Sequence, residues 1–193
     1  MKKLIPDDAV LIPDHAKCVF RGKIFDVYQW PQEMFDGSTA TFEMLKRPDT
    51  VEIIAIKDGK IVIQEEEQPN RAPHITIPAG RHDVPGESIL QAAQRELSEE
   101  TGLQFKQWKL LNVVQPFSKS EWFIYQYLAT DLLREEKHRP EADGEKITVM
   151  EKSLTEVKEL IKHPKNRFLP KQLLENISSV DELLLLPEFQ GKK

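Results

Sequence analysis

The sequence predicts an α+β fold, and three observations carry that expectation. Segments rich in Val, Ile, Phe, Tyr and Trp recur along most of the 193 residues. Asp-Gly pairs join neighbouring segments of this kind in the manner of β-hairpins. Two longer segments carry the three-to-four-residue apolar spacing of helices, so strands are mixed with two principal helices.

The elements follow in order. "CVFRGKIFDVYQW" reads as two strands turning at Gly22, and "MFDGSTATFEML" as a hairpin at Asp36-Gly37. "TVEIIAIKDGKIVIQEEE" places two apolar strands around Asp58-Gly59, a strong hairpin signal. "QPNRAPH" reads as a loop and "ITIPAG" as a short strand stopped by Pro78 and Gly80. A helix follows in "GESILQAAQRELSEETG", with Gly102 as its C-terminal cap. "WKLLNVVQPFSKSEWFIYQYLATDL" returns to strand composition, broken at Pro116, Phe117 and Ser118. "REEKHRPEADGEK" is a polar loop and "ITVMEK" a last strand. In "SLTEVKELIKHP", Ser153 and Glu156 form a capping box ahead of Leu154, Val157, Leu160 and Ile161 at helical spacing. The tail adds one or two short helices, with "DELLLL" apolar enough to dock.

Composition excludes several function classes. Apolar residues make up 39%, enough for a core, and the net charge of -5 argues against a general nucleic-acid binder, which needs a basic face. A small anionic substrate stays open, because metal ions invert local charge. The single cysteine, Cys18, excludes an intrachain disulfide and a zinc site built on several cysteines, and fits a reducing cytoplasm. The opening "MKKLIPDDAVLIPDH" lacks the apolar run of a signal peptide, and no stretch approaches the roughly 20 apolar residues of a membrane span. The five histidines are scattered, with no pair at helical ligand spacing.

The helix from Gly86 to Gly102 holds the chemistry. Ile89, Ala93 and Leu97 form its apolar stripe, while Glu96, Glu99 and Glu100 crowd one turn with Arg95 as the only cation of the segment. Glu100 falls on the edge of that stripe, where a carboxylate is costly unless it is paired or bound to a metal. A divalent cation such as Mg²⁺, taking hard oxygen ligands, reverses the cost. Arg95 is spaced to orient Glu87 or Glu99 through a bidentate pair.

The spacing Glu87, seven residues, Arg95-Glu96-Leu97, one residue, Glu99-Glu100, one residue, Gly102-Leu103 resembles the Nudix box, the signature of the Nudix hydrolases. One departure stands in the loop ahead of it. Six residues, "RHDVPG", separate Gly80 from Glu87 where the family has five. "GKIFDVYQW", "FEMLKRPDTVEIIAI", "IPAG" and "QPFSKSEWFIYQYLA" are similar to the ADP-ribose and nucleotide-sugar pyrophosphatase branch, over residues 19 to 160. The usual glycine after Pro116 is missing, and Arg71 follows Gln68 by three residues where that branch has two.

This resemblance implies an α/β/α sandwich. It comprises an N-terminal antiparallel β-sheet subdomain (1–45) that forms a homodimer and part of the pocket, and a Nudix hydrolase domain (46–193). It implies Mg²⁺, or Mn²⁺, held by Glu96, Glu99, Glu100 and the Ala79 carbonyl, with Glu87 and Arg95 orienting the ligands. Glu99, Asp143 and Glu145 are the catalytic candidates, the last two as the acidic pair of a loop that closes over substrate, with Glu141 a third. Tyr28, Trp30, Arg47 and Arg71 are expected to bind substrate, and Phe25 is a further stacking candidate. The implied reaction cleaves the diphosphate of ADP-ribose or a related nucleoside diphosphate sugar to a nucleoside monophosphate and a sugar phosphate. GDP-mannose, another sugar nucleotide or a dinucleotide stay open as substrates. A catalytically silent nucleotide-sensing module is the remaining alternative, although such modules usually lose box glutamates and this chain keeps them all. Partners beyond substrate and a second copy, whether nucleic acid or membrane, are not expected.

Overall fold

The computed structural model describes residues 3–136, 141–142, 144–167 and 170–191. Its strands are β1 (Lys17–Arg21), β2 (Asp26–Glu33), β3 (Thr39–Lys46), β4 (Asp49–Lys57), β5 (Lys60–Gln68), β6 (Arg71–Thr76), β7 (Ala79–His82), β8 (Leu103–Val114), β9 (Ser120–Glu121), β10 (Ile124–Glu135), β11 (Glu141–Ala142) and β12 (Glu145–Lys152). The helices are α1 (Ile89–Thr101), α2 (Leu154–Ile161), α3 (Lys171–Asn176) and α4 (Val180–Leu185). The α+β expectation holds, with α1 and α2 as the longer helices. Among the described residues, no helix is long and apolar enough to cross a membrane.

Two compact units form. One joins residues 1–50 with 113–124 and 190–193, and the other joins 51–112 with 125–189. The first carries a four-stranded sheet in the order β1-β2-β3-β9. Its β2–β3 hairpin turns at Asp36-Gly37, where Gly37 adopts φ +81° and Asp36 accepts hydrogen bonds from the Ser38 backbone and hydroxyl.

The second unit is built on a sheet in the order β11-β12-β5-β4-β10-β8, with β6 added to β5 and β7 to β4. Asp58 and Gly59 both take positive φ in the β4–β5 turn, the backbone a two-residue type I′ hairpin requires. Alternation then sorts the two faces of the sheet. Ile54 and Ile56 of β4 and Ile61 and Ile63 of β5 pack with Leu154, Val157, Ile161, Leu174 and Leu183 of α2, α3 and α4. The alternate residues Ile53, Ala55 and Val62 are fully buried on the opposite side, the side of α1. There Ala92, Ala93, Leu97 and Thr101 are the buried positions of the helix, so the expected stripe holds with Ala92 and Thr101 added and Ile89 only half-buried.

Two boundaries differ from the sequence expectation. The stretch 68–74 is not a loop throughout, because β6 begins at Arg71 and pairs with Gln68. Pro73 is tolerated because β6 is an edge strand, where a missing N–H costs no ladder bond. Strand β8 starts at Leu103, directly after the Gly102 cap and five residues before Trp108. Both shifts come from pairing with neighbouring strands, which a local reading does not contain.

Candidate active site

The site grows from α1 and the strand before it. Ser88 caps the helix: its hydroxyl accepts from the Gln91 N–H at 3.2 Å, and the Gln91 side chain accepts from the Ser88 N–H at 2.8 Å. At the other end Gly102 sits at φ 72° and donates to the Ser98 carbonyl. The helix is therefore pinned at both ends, which fixes the rotation of its carboxylates over β7.

Glu96 and Glu100 turn toward β7. Glu96 Oε1 accepts from the Arg81 N–H at 3.0 Å, and Glu100 Oε2 accepts from the Ala79 N–H at 3.0 Å. Gly80, between those two donors, leaves the room they need: a Cβ there would lie 1.9 Å from Glu96 Cδ. Burial raises the pKa of Glu96, and raises that of Glu100 well above the usual carboxylate range, with each carboxylate adding repulsion against a charged neighbour.

Arg95 organises the outer side. Its Nε and Nη2 donate to the two oxygens of Glu87 at 2.9 and 3.0 Å, its Nη1 to Glu96 at 2.8 Å and Glu99 at 3.2 Å, and its Nη2 also to the Arg81 carbonyl. Glu87 is held below the ordinary carboxylate range by this fork, and the Arg95 pKa is raised in turn. Glu99 is exposed and faces Arg95.

The sheet contributes a second set that the sequence reading missed. On β5, Gln64, Glu66 and Gln68 recur at every second residue and share one face, the face of α1. Gln64 Nε2 donates to Glu100 Oε2 at 3.2 Å. Gln68 Nε2 donates to Glu66 Oε1 and to Glu145 Oε1, each at 2.7 Å. Burial raises the pKa of Glu145, and its charge interacts unfavourably with Glu66 and Glu96. Glu66, Glu96, Glu100 and Glu145 thus form one electrostatically coupled acidic group. The available signal was the unbroken polar run "QEEEQ", residues 64 to 68, directly after the apolar start of the same strand.

A basic edge borders this group. Arg71 opens β6, and burial and the Arg167 charge lower its pKa while Glu66 opposes the shift. Arg167 is anchored beside β6: its N–H donates to the Ile75 carbonyl at 2.9 Å and its carbonyl accepts from the Thr76 hydroxyl at 2.7 Å. His74 is buried, with Nε2 3.8 Å from Glu66, and burial lowers its pKa.

The remaining candidates are placed as follows. Asp143 lies outside the described residues, and Glu141 is described only as part of β11. Tyr28, Trp30 and Arg47 belong to the first unit. Tyr28 lines a cavity of about 600 Å³ with Lys46, Glu121 and Phe123. Trp30 is buried against Phe42, and its indole N–H donates to Gln32. The Arg47 guanidinium lies 4.4 Å from the Trp122 ring centroid and 5.4 Å from that of Phe25.

The donor set fits a hard divalent cation. Two carboxylates, both raised by burial and repelling one another, converge on the glycine-opened backbone of β7. As the side chains stand, no three His, Cys, Asp or Glu groups among the described residues enclose an ion. Glu96 and Glu99 are turned to Arg95.

A model of the NUDIX domain matches residues 46–176. The ADP-ribose pyrophosphatase of Bacillus subtilis (strain 168) is 32% identical over 149 residues, which cover 74% of this chain and 78% of that protein. The methanol dehydrogenase activator of Bacillus methanolicus is 30% identical over 148 residues, covering 75% and 79%. The solved structure of an ADP compounds hydrolase superposes with a TM-score of 0.68 at 23% identity, over 95% of this chain and 97% of that one, a likeness of fold.

Proposed function

The chain belongs to the NUDIX family and is a Nudix hydrolase, and from that premise we propose that it hydrolyses the diphosphate of ADP-ribose or a related nucleoside diphosphate sugar. The observation that carries the proposal is the convergence of the Glu96 and Glu100 carboxylates on the Ala79–Arg81 backbone, in a chain similar to an ADP-ribose pyrophosphatase. Burying two carboxylates with raised pKa values is costly for a protein that only folds, and useful for one that binds a cation and a phosphate.

Glu96 and Glu100 hold Mg²⁺, with Mn²⁺ able to substitute, and Glu99 and the Ala79 carbonyl complete the protein ligands. The cation supplies charge neutralisation of the phosphoryl oxygens and a more acidic water. Arg95, fixed by Glu87, keeps Glu96 and Glu99 within reach of the site, the orienting role that metal ligands require. Arg71 takes a phosphate oxygen through its planar fork. Water attacks one phosphorus in line: the new O–P bond forms, the bridging P–O bond breaks, and the water proton passes to a carboxylate, Glu145 or Asp143. From ADP-ribose the products are AMP and ribose 5-phosphate. Tyr28, Trp30 and Arg47, in a homodimer formed through residues 1–45, contact base and ribose. Light scattering tests the dimer, since a particle of 22.3 kDa contradicts it.

The test of the reaction is release of mononucleotide from ADP-ribose, ADP-glucose, GDP-mannose, NADH and diadenosine polyphosphates with Mg²⁺ or Mn²⁺, beside Glu100→Gln. Release from one or two of these, lost in the variant, is expected. No turnover of any substrate, together with a raised Tm in one of them, points instead to a nucleotide-sensing module.

A further inference from the structure

The β5 face holds a group that neither the box nor the reaction accounts for. Gln68 is the last residue of β5, and its amide nitrogen donates at once to Glu66 Oε1 and Glu145 Oε1, each at 2.7 Å. The sheet dictates this meeting. Strand β12 runs antiparallel to β5, with Lys146 opposite Glu67 and Ile147 opposite Glu66, so the same register sets Glu145 opposite Gln68. On the other side of β5 the register with β6 shifts between Glu66 and Gln68. The extra residue lies on β6, between Arg71 and His74, so β5 keeps its alternation and Gln68 stays on the face of Glu66. An amide has two N–H donors on one nitrogen and no charge, so it can hold two carboxylates that repel each other without neutralising either. A lysine there would also bring them together but would neutralise one.

Resting on the hydrolase reading above, we infer that Gln68 is a positioning residue that sets the Glu145 carboxylate for proton transfer by tying it to Glu66. Glu145 starts β12 directly after Gly144, which adopts φ +85°. The register holds its backbone, and Gln68 decides where its side chain points. Gln64, four residues earlier on the same face, does the corresponding work for Glu100. One strand therefore sets both a candidate metal ligand and a candidate base, at a spacing fixed by the strand repeat of about 3.3 Å per residue.

The test is a double-mutant cycle with steady-state kinetics in Mg²⁺. Gln68→Glu keeps the shape and replaces the donor with a third carboxylate, and Gln68→Ala removes the group. Both are expected to lower kcat about tenfold or more, the range for groups that orient catalytic residues, with KM within about threefold and Tm little changed. In a Glu145→Gln background, Gln68→Ala is expected to add less than about twofold, because the two residues act as one unit. Gln68→Glu at the wild-type kcat, losses that multiply in the double variant, or a fully active Glu145→Gln each overturn the inference. A wild-type protein inactive on every substrate overturns the hydrolase reading instead, and Gln68's role with it.

Discussion

Replacing Gly80 with alanine tests the site through a single methyl group. The added Cβ would lie 1.9 Å from Glu96 Cδ, 2.2 Å from its Oε2 and 2.4 Å from its Cγ. Carbon atoms in contact rest about 3.5–4.0 Å apart, so the Glu96 carboxyl has to retreat by about 1.6–2.1 Å. The backbone has no reason to resist, because Gly80 is not among the glycines at positive φ. The obstacle is the far end of a flexible side chain, so the strain is relieved by swinging Glu96 off the Arg81 N–H and Arg95 Nη1. Losing the two hydrogen bonds costs about 2 kcal/mol, at about 1 kcal/mol each, partly offset by about 0.4–1 kcal/mol from restricting the unfolded chain, so the net loss is about 1–1.6 kcal/mol and Tm falls by only a few degrees. Activity behaves differently, since displacing a catalytic group by about 1 Å costs about 10²-fold. Thermal unfolding and kcat/KM measured on the same preparation read both effects. A Gly80→Ala variant active within about threefold of wild type would refute the reasoning. So would a loss of activity that comes with a large fall in Tm, because then the fold and not the carboxylate has yielded.

Two further predictions concern groups beyond α1. Glu52 is buried on β4, accepting from Gln126 Nε2 at 3.0 Å, and burial pushes its pKa from 4.5 up to about 7. Between those values the native state binds the proton that the unfolded state has released. Its contribution to stability is complete below about pH 4.5 and is lost as pH rises through 7, a difference of about 3 kcal/mol. Glu52→Gln, which keeps an oxygen for Gln126, should therefore stabilise the protein by up to that amount at pH 8 and by little at pH 4.5. Urea unfolding at the two pH values checks it, and equal effects at both exclude Glu52 as the cause. For Arg71→Ala, the loss of a charge-assisted contact to phosphate should raise KM about tenfold with kcat less affected. An unchanged KM removes Arg71 from the site.

Much was legible in the sequence because it depends on residues a few positions apart. The Asp36-Gly37 and Asp58-Gly59 turns, the capping box at Ser153 and Glu156, and the Gly102 cap are local events, and each stands in the structure. So is the helix phase that gathers Glu96, Glu99 and Glu100 on one turn beside Arg95. The capping box of Ser88 and Gln91 was equally local and went unread behind the acidic pattern. The tertiary structure decided what faces those carboxylates. Gln64 meets Glu100 across 36 positions and Gln68 meets Glu145 across 77, and the Asn166 side chain accepts from the Ile75 N–H across 91. Strand register sets such encounters, and a slip of one residue would turn Gln64, Glu66 and Gln68 to the opposite face. That register comes from the packing of whole sheets, in which the alternation of Ile61 and Ile63 against Val62 on β5 is one small part. The chain alone thus determined a helix built to gather charge, and the sheet determined which partners orient it.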